Sequence, residues 1–380
     1  MTKLEQLIEQ LCPDGVEYKM LGEIGNVSMC KRILKHETSE IGDVPFYKIG
    51  TFGKEANAFI SFETYEKYKR LYSFPKKGEV LISASGTIGR TVIFDGEPAY
   101  FQDSNIVWIS NDETHVTNRF LYYFYQTKPW QVSSGGTIAR LYNDNILRTK
   151  IPVPPLEVQA EIVRILDTFT ELTTELTTEL ANRKKQYEYY RNSLLSFSTI
   201  VKKCRISDVC EISRGKVISK DDIRNNAGGY PVYSSQTENN GELGKISSYM
   251  YDGEYLTWTT DGANAGSIFY RSGKFNITNV CGLLKVDTKN VDIRYLFHAL
   301  TVEAPKYVRS GMGNPKLMSN VMGSIKISFP ELPIQRRIAR VLDNFEAICS
   351  DLNIGLPAEI KARQKQYEYY RDKLLTFKEK

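Results

Sequence analysis

Apolar residues recur at three- and four-residue steps through a long stretch in the middle of the chain. Between Leu156 and about Ser196 there is neither proline nor glycine, so nothing in the stretch interrupts a helix. The stretch therefore predicts one helix of about forty residues, which would span about 60 Å, with an apolar face of the kind that packs against other helices. That face is formed by Ile162, Leu166, Phe169, Leu172, Leu176, Leu180, Tyr187, Tyr190, Leu194 and Phe197.

The end of this helix occurs a second time in the chain. Arg183–Phe197, RKKQYEYYRNSLLSF, matches Arg363–Phe377, RQKQYEYYRDKLLTF, at eleven of fifteen positions. Upstream, Ile151–Phe169 aligns without gaps on Ile327–Phe345. The offset between the copies grows from 176 to 180 residues, so the second copy carries four extra residues. A period of this length is about the size of a domain, and it predicts two copies of a globular domain followed by a helical arm.

Two further helical segments complete this prediction. Apolar spacing over residues 3–11, before Pro13, predicts a short amphipathic helix that docks on one of the arms. The second arm is expected from about residue 333 to 377, with a break or kink near Gly355 and Pro357, where the four extra residues fall.

Short β-rich runs bounded by glycine, proline, aspartate or serine predict a mixed α/β domain before the first arm. Weaker copies of the same features precede the second arm. The aromatic run Phe120–Gln126 fits a helix or a strand, since its period does not decide between them. The predicted strands are Val44–Ile49, Glu79–Ser83, Thr91–Phe94 and Ile106–Ile109. The predicted organisation is 1–150 for the N-terminal helix and first domain, 151–200 for the first arm, 201–326 for the second domain and 327–380 for the second arm.

Composition adds little to this organisation. The chain has 380 residues and a formal net charge of +5, which permits a nucleic-acid partner without arguing for one. None of its six cysteines forms a Cys-x-x-Cys pair, and none of its three histidines lies near a cysteine at the spacing of metal ligands. We therefore predict no metal site, and buried, reduced thiols in a cytoplasmic protein with no signal peptide and no membrane span.

Motifs for the common chemistries are missing from the sequence. It contains no Asn/Asp-Pro-Pro-Tyr/Phe segment for amino-methyl transfer and no Walker A lysine loop for ATP. Scattered histidines also argue against a Ser-His-Asp triad. The sequence therefore predicts a binding protein without catalytic residues of its own.

Two pairs of glycine-rich loops occur at corresponding places in the two copies. Ser85–Arg90, SGTIGR, corresponds to Asp261–Gly266, DGANAG, and Ser133–Arg140, SSGGTIAR, corresponds to Arg309–Lys316, RSGMGNPK. Glycine lets a backbone approach a phosphate or a base edge closely, but it serves equally in a tight turn between strands. A basic residue at the end of the second loop in both copies favours nucleic-acid binding modestly.

The repeated Tyr-Glu-Tyr-Tyr-Arg blocks predict a helix–helix interface. Two near-identical helices in one chain are expected to make the same kind of contact. They pack either against each other about a pseudo-twofold axis or against two identical copies of a partner. The expected interface residues are Arg183, Tyr187, Tyr190, Arg191, Arg363, Tyr367, Tyr370 and Arg371.

Taken together, these features resemble the specificity subunit of type I restriction-modification systems over essentially the whole chain. The resemblance is carried by I-P-x-P-P-L-x-x-Q at Ile151–Gln159 and its relaxed copy at Ile327–Gln335, by the L-D-x-F and Q-Y-E-Y-Y-R-x-x-L-L blocks, and by Leu11–Leu21, LCPDGVEYKML. The second copy departs from the pattern at Ser328, Glu331 and Pro333, so strict symmetry of the arms is not expected.

The resemblance implies an α+β fold in which two pseudo-repeated α/β target-recognition domains are joined by two long, antiparallel, coiled-coil-like helices. Each domain would read one half of a bipartite, asymmetric site on double-stranded DNA. The arms would set the distance between the half-sites and dock two methyltransferase subunits, to which restriction subunits add. S-adenosylmethionine and ATP would be cofactors of those partner subunits, and this chain would bind no cofactor.

Polar residues at the loop tips are the expected DNA contacts, since arginine and lysine favour guanine or phosphate and asparagine and glutamine favour adenine. In the first domain they are Lys48, Thr51, Ser85, Thr87, Arg90 and Arg140. In the second domain they are Ser235, Gln236, Thr237, Asp261, Asn264, Asn314 and Lys316.

The arm contains Thr170–Leu180, TELTTELTTEL, in which a four-residue unit is repeated. We hypothesise that the number of copies of this unit sets the distance between the domains, which is compatible with a solvated Thr/Glu helix face. The whole chain is alternatively a scaffold without DNA binding, in which twin helical arms join two heads that bind carbohydrate or protein.

Overall fold

The structure is a computed structural model that describes residues 2–132, 139–197, 201–309, 313–350 and 355–380. The chain divides into two compact units. The first unit comprises Met1–Glu175 with Ile360–Lys380, and the second comprises Leu176–Glu359. Each unit therefore combines one globular domain with helical segments that come from both arms.

Helices in the described residues range from single turns to the long helix of the first arm. They are α1 (Lys3–Leu11), α2 (Leu21–Ile24), α3 (Phe62–Leu71), α4 (Asn118–Tyr125), α5 (Asn143–Leu147), α6 (Leu156–Leu194), α7 (Ile206–Val209), α8 (Lys220–Asn225), α9 (Ile293–Glu303), α10 (Ser319–Ser324), α11 (Leu332–Ser350) and α12 (Leu356–Leu374). Short 3₁₀ segments lie at Lys35–Glu37, Glu238–Gly241 and Ala304–Tyr307.

The strands are mostly short in the first unit and longer in the second. They are β1 (Glu17–Met20), β2 (Gly25–Ser28), β3 (Val44–Tyr47), β4 (Phe59–Ile60), β5 (Val80–Ser83), β6 (Thr91–Ile93), β7 (Tyr100–Phe101), β8 (Ile106–Asn111), β9 (Lys150–Val153), β10 (Lys203–Arg205), β11 (Cys210–Arg214), β12 (Ala227–Tyr233), β13 (Glu242–Ile246), β14 (Tyr251–Thr259), β15 (Ile268–Ile277), β16 (Cys281–Val286) and β17 (Lys326–Ser328).

The helix predictions are confirmed at the level of elements. The first arm is the single helix α6, and the aromatic run that period could not assign is the helix α4, with Thr117 as its N-cap. In the second arm, Gly355 is not helical and directly precedes α12, as expected for an interruption near Gly355 and Pro357. The four residues 351–354 lie outside the described residues.

In the first unit, small sheets enclose two apolar cores. One sheet has the order β2-β8-β5-β6 and another the order β4-β3-β7, in which β3 and β7 run parallel. The first core joins one face of the four-stranded sheet to α4 and to the start of α6 through Ile162 and Leu166. The second core fills the space between the two sheets, with Trp108 and Tyr100 fully buried. The four predicted strands of this domain are confirmed with shifted ends.

In the second unit, one six-stranded sheet carries most of the domain. Its order is β11-β16-β14-β15-β12-β13, antiparallel except where β12 and β15 pair in parallel. One face packs on α9 and α11 around Trp258 and Leu296. The other face carries a smaller aromatic cluster around Phe275. The mixed α/β class and the two repeated domains agree with the prediction.

A short strand pair closes each globular domain at the start of its arm. Lys19 in β1 pairs with Ile151 in β9, and Cys204 in β10 pairs with Ile327 in β17. Ile151 and Ile327 are matched positions of the sequence repeat. The repeated proline-rich segment is therefore the exit of each domain into its arm.

The N-terminal helix and the C-terminal residues meet in the first unit. Lys3 on α1 forms a 2.8 Å ion pair with Glu161 on α6, which confirms that this helix docks on the arm. The Val16 N–H donates to the carbonyl of Lys378 at 2.9 Å, and the Lys380 N–H donates to the carbonyl of Val16 at 3.1 Å. At Gly15, where φ is +111°, a Cβ would lie 2.5 Å from the Lys378 carbonyl oxygen, so only glycine fits.

The remaining sequence expectations concern cysteines and membrane spans. All six cysteines are free, and all except Cys204 are buried, as predicted for unpaired thiols. Within the described ranges, no helix combines the length and the apolar character that crossing a bilayer requires.

Candidate nucleic-acid interface and the joints that position it

Gln159 joins the first arm to the first globular domain. Its side-chain oxygen accepts a hydrogen bond from the Thr117 backbone N–H at 2.8 Å. Its amide nitrogen donates to the carbonyls of His115 and Pro154 at 2.8 and 2.7 Å. The glutamine is fully buried, so these groups have no access to bulk water and depend on one another. Because Thr117 caps α4, the same glutamine also holds the start of that helix against the arm.

Gln335 makes the equivalent joint in the second unit. Its oxygen accepts from the Asp292 N–H at 2.9 Å, and its nitrogen donates to the carbonyls of Asn290 and Pro330 at 3.0 and 2.8 Å. Asp292 is the N-cap of α9, which corresponds to α4 of the first unit. The glutamine that recurs in the sequence repeat is therefore a structural joint between arm and domain.

The aspartate of the first L-D-x-F block adds an ionic contact to this joint. Arg119 on α4 donates to one Asp167 oxygen from Nε at 3.0 Å and from Nη2 at 2.7 Å. The hydroxyl of Tyr123 donates to the same oxygen. Burial raises the pKa of Tyr123, and its bond to the carboxylate raises it further, so the phenol stays protonated as the donor.

In the second unit a histidine takes the place of that tyrosine. Arg294 on α9 donates to Asp343 from Nε at 2.9 Å and from Nη2 at 2.6 Å, and His298 Nε2 lies 2.7 Å from the same oxygen. Burial raises the pKa of Asp343, but the bonds from His298 and Arg294 outweigh it and leave that pKa below its ordinary value. Arg294 also pairs with Glu346 at 3.0 Å.

His298, Asp343 and Glu346 are the group of potential metal ligands that the described residues bring together, with ligand atoms within 4.8 Å of one another. Arg294 already donates to both carboxylates. In the first unit, the position of His298 is occupied by Tyr123, which bonds to Asp167 in the same way. The three residues are thus part of the contact between domain and arm, held together by ion pairs with Arg294.

The repeated tyrosine blocks pack on the arm segments of the other copy of the repeat. The rings of Phe169 and Tyr370 stack with centroids 5.5 Å apart in the first unit. Phe345 and Tyr190 stack at the same distance in the second unit. The tyrosine block that follows the first domain therefore packs in the second unit, and the block at the end of the second arm packs in the first unit.

Two of the other expected interface tyrosines also serve packing within a unit. Arg191 lies over the ring of Tyr187 at 5.4 Å, and Arg371 lies over the ring of Tyr367 at 5.7 Å. The Tyr367 hydroxyl donates to Gln126 Oε1 at 2.7 Å. Burial raises the pKa of Tyr187 and of Tyr367 to about 12. Tyr187, Arg191, Tyr367 and Arg371 are all half-buried, so contacts within the chain cover part of the surface of each side chain.

The exposed members of the blocks are different residues. Tyr189 and Tyr369, at matching positions, are 69% and 62% exposed. Arg183 lies at the surface with its Nε 2.7 Å from Glu179 and its Nη1 3.0 Å from Gln186, and Arg363 donates to Gln366 at 3.2 Å. The apolar period did not mark Tyr189 and Tyr369, although their position off the apolar face was a signal that they point outwards.

The first glycine-rich loop is the turn of the β5–β6 hairpin. Gly86 and Gly89 adopt φ of +64° and +77°, which glycine accommodates without strain. Thr87 is exposed at the tip. Arg90 is held at the base, because its Nη1 donates to the Phe52 carbonyl at 2.6 Å and its backbone N–H donates to Ser83 Oγ at 2.8 Å.

Two of the expected DNA contacts in the first domain, Lys48 and Arg140, line one cleft, and Ser85 lies beside Arg140. The backbones of Ser85 and Arg140 form an antiparallel bridge. Ser85 Oγ donates to Asn105 Oδ1 at 2.7 Å, and Arg140 Nη2 donates to the Ser104 carbonyl at 2.9 Å. Lys48 lines the same cleft, and its backbone N–H donates to Thr51 Oγ1 at 3.1 Å.

The cleft also contains residues that the sequence did not suggest. Arg32 and Lys35 follow β2 and add two positive charges to those of Lys48 and Arg140. Asp103 balances one of them through a 2.9 Å pair with Arg32. The Cys-Lys-Arg-Ile-Leu-Lys run at 30–35 was an available signal, since clustered basic residues are the electrostatic footprint of nucleic-acid binding.

In the second domain, the equivalent loops meet in the same way. Asp261 forms an antiparallel backbone bridge with Lys316, at the positions that correspond to Ser85 and Arg140. The Gly262 N–H donates to the Pro315 carbonyl at 3.0 Å, which ties the two loops together. The same backbone bridge therefore joins the matched loops in both domains, with different side chains facing the basic residue.

A third loop joins this pair in the second domain. Asn264 Nδ2 donates to Thr237 Oγ1 at 2.9 Å, and Gln236 donates to the Glu242 carbonyl. Asn264, Asn314 and Lys316 are exposed, and Ser235 is half-buried. Residues 133–138 and 310–312 of the second glycine-rich loops lie outside the described residues.

Comparison with known proteins agrees with these features. The family model for the type I restriction modification DNA specificity domain matches twice, at residues 13–185 and 200–362. A protein from Haemophilus influenzae, named as a type I restriction enzyme specificity subunit, is 60% identical over 182 residues. That match covers 47% of each chain, so this chain spans about half the length of that relative. A type I restriction enzyme specificity subunit from Mycoplasma pneumoniae is 46% identical over 303 residues, covering 62% of this chain and 92% of that protein.

Solved structures show the same fold. The S subunit of a type I restriction-modification system from M. genitalium superposes with a TM-score of 0.59 at 14% identity, covering 96% of this chain and 97% of the other. A chain from a study of complex assembly and conformational transition of the type I R-M system gives 0.61 at 16% identity, covering 96% and 98%. With two matched specificity domains over most of its length, the chain belongs to the type I restriction-modification specificity subunits.

Proposed function

We propose that this chain directs a type I restriction-modification complex to a bipartite, asymmetric DNA sequence. Each target-recognition domain reads one half-site through its polar loops. The helical arms separate the two domains and dock two methyltransferase subunits, to which restriction subunits add. The chain is non-catalytic and binds neither S-adenosylmethionine nor ATP, which belong to its partners.

One observation carries the DNA-reading part of this proposal. The bridge between Ser85 and Arg140 recurs as the bridge between Asp261 and Lys316, with the basic residue kept and the facing residue changed. A basic residue at the same position in both domains is suited to contact a phosphate, which positions the protein on the DNA. A different residue facing it in each domain is suited to contact a different base. Two domains built on one backbone plan with unlike tips are suited to two unlike half-sites.

The charge distribution of the first domain supports the same function. Arg32, Lys35, Lys48 and Arg140 line one cleft together with a single carboxylate, Asp103. Arg32 and Asp103 pair at 2.9 Å, which leaves the cleft net positive. Concave positive surfaces concentrate a polyanion and steer its approach, and the resulting affinity falls steeply with salt.

The methyltransferase part is supported by the matched surface of the two blocks. The ring of Tyr189 is inclined at 74° to that of Tyr190, with centroids 5.5 Å apart, and the ring of Tyr369 is inclined at 76° to that of Tyr370, with centroids 5.3 Å apart. Both outer rings are exposed. Exposed tyrosines are frequent anchors in protein interfaces, and two copies of one local surface suit two copies of one partner.

Adenine-methylation mapping by long-read sequencing tests the proposal directly. Cells would carry this gene with and without the methyltransferase gene of the same system. The expected result is a bipartite methylated motif with a fixed gap that appears only when both genes are present. If both proteins are soluble and no new motif appears, the proposed function is wrong.

A further inference from the structure

Arg271 is a buried cation in the second recognition domain whose hydrogen-bonding capacity is mostly unused. Its side chain lies in the interior and is 3% exposed. Nε donates to Thr257 Oγ1 at 3.1 Å. Nη1 and Nη2 are both buried, and neither has a hydrogen-bond partner among the residues that the structure describes. Burying a charged donor without an acceptor is strongly unfavourable, so the position calls for an explanation.

The surroundings hold the guanidinium in place but do not satisfy it. Its central carbon lies 3.6 Å from the centroid of the Tyr233 ring and 4.5 Å from that of Phe269. Aromatic faces attract a cation without accepting its directed hydrogen bonds. Burial lowers the pKa of Arg271 to about 10, against smaller opposing contributions from Tyr233, Cys281 and the carboxylate of Glu242, so the group is still charged near neutral pH. The fork of Nη1 and Nη2 therefore remains available to an acceptor pair.

The segment Ser234–Gly241 covers this fork. At Gly241, where φ is +78°, a Cβ would lie 3.0 Å from Arg271 Nη2, so the backbone passes directly over the guanidinium. The Ser234 N–H donates to the Gly241 carbonyl at 3.0 Å and closes the segment on itself. Asn239 and Asn240 are exposed and adopt left-handed backbone angles, with φ of +48° and +53°. Two consecutive residues in this region are strained, which lowers the cost of rearranging the segment.

The same segment belongs to the candidate DNA surface. It carries Gln236 and Thr237, and Thr237 is bonded to Asn264 of the neighbouring loop. A duplex that binds these loops would press on the segment and bring acceptor atoms to the place that it covers. Displacing the segment would expose the two unused nitrogens on the side where the acceptors arrive.

We propose that Arg271 is a further DNA-contacting residue of the second recognition domain, uncovered when the segment Ser234–Gly241 moves aside on binding. Nη1 and Nη2 then donate to a pair of acceptors on the duplex, either O6 and N7 of a guanine or two oxygens of a phosphate. The inference rests on the DNA-binding function proposed above.

The test uses the full chain and duplexes that contain its mapped methylation motif, each with one base pair of the second half-site changed. Arg271→Met removes the fork, and Lys274→Met, on the same strand, removes an equal charge at an exposed position as the control. We expect Arg271→Met to weaken binding at least tenfold and Lys274→Met to change it less than threefold. Loss of discrimination at a single G·C pair identifies the guanine contact, and a uniform loss over all duplexes identifies the phosphate contact.

Thermal unfolding distinguishes this role from a structural one. Replacing an unpaired buried charge by an apolar side chain of similar length is expected to leave the melting temperature equal or higher. Arg271→Lys keeps the charge but not the fork, and it should restore only part of the affinity. If Arg271→Met binds as tightly as wild type, or if its affinity falls only together with its melting temperature, this inference is overturned while the proposed function stands. Failure of the mapping experiment to reveal any methylated motif for the wild-type chain overturns both.

Discussion

The ring of Phe169 stacks on the ring of Tyr370 with the centroids 5.5 Å apart and the planes inclined at 22°. Phe169 belongs to the L-D-x-F block of the first arm, and Tyr370 belongs to the tyrosine block of the second. The matching pair, Phe345 and Tyr190, stacks at 27°. Each compact unit is thus assembled from both copies of the repeat, so neither copy alone contains a complete set of contacts.

Double-mutant cycles can measure how strongly these aromatic pairs, each formed by residues of both copies, are coupled. We expect Phe169→Ala and Tyr370→Ala to be coupled by about 0.5–1.5 kcal/mol in the free energy of unfolding, because stacked aromatic pairs contribute about that much beyond burial. The same coupling is expected for Phe345 and Tyr190. The control cycle combines Phe169→Ala with Tyr190→Ala, which belong to different units, and should give a coupling near zero. Equal coupling in the two cycles would contradict the pairing.

The ion-paired carboxylate of Glu161 should make the first unit sensitive to acid. Hydrogen bonds from Arg164 and then from Lys3 lower the pKa of Glu161 from 4.5 to about 2. Since the folded-state pKa is depressed, this contribution to stability is fully present above about pH 4.5 and is lost as the pH falls towards about 2. Glu161→Gln should therefore melt below wild type at pH 7, and the difference should shrink as the pH falls below 4.5.

Glu157 on the same helix supplies the matched control for that titration. It lies at the surface, so Glu157→Gln should leave the melting temperature nearly unchanged at every pH. A Glu161→Gln deficit that stays constant between pH 7 and pH 3 would show that the loss comes from packing and not from the ion pairs.

Arg140 and Lys316 should contribute alike to DNA affinity, because they occupy the same place in the two recognition domains. We expect Arg140→Gln and Lys316→Gln each to weaken binding for all sequences and to reduce the slope of log K against log salt by about 1, as for the loss of one phosphate contact. Titration of a labelled duplex at several salt concentrations measures both quantities. Arg70→Gln, an exposed change on α3, serves as the control for net charge. A loss of affinity without any change in slope would argue against a phosphate contact.

The helical parts of the fold could be predicted because their signals are local. An uninterrupted apolar period specified α6, and glycine and proline near residue 355 specified the interruption at Gly355, directly before α12. The partner of each tyrosine block could not be predicted in this way. Residues 183–197 and 363–377 are nearly identical, so the apolar face of either block fits the arm of either copy. Only the tertiary arrangement decides between them.

The candidate interface was predicted in part for a similar reason. Glycine-rich turns and a recurring basic residue indicated Ser85 and Arg140, which the structure brings together. Arg32 reaches the same cleft from a segment more than one hundred residues away from Arg140, a proximity that no sequence period encodes. Arg271 could not be found from the sequence either. An arginine within a strand is ordinarily read as exposed, and its burial is a property of the folded sheet and its cover.

The repeated Thr-Glu-Leu-Thr segment offers a test of how the gap between half-sites is set. It lies inside the continuous helix α6, and the boundary between the two units falls within it, after Glu175. Deleting residues 174–177 shortens a helix by about 6 Å, which corresponds to between one and two base pairs at roughly 3.4 Å each. Because half-site spacing follows protein geometry, we expect methylation mapping to show a shorter spacer with both half-sites unchanged. Replacing the same four residues by alanine keeps the length and should keep the spacer. If the deletion alters the half-sites instead, or leaves the spacer as it was, the segment does not set the distance.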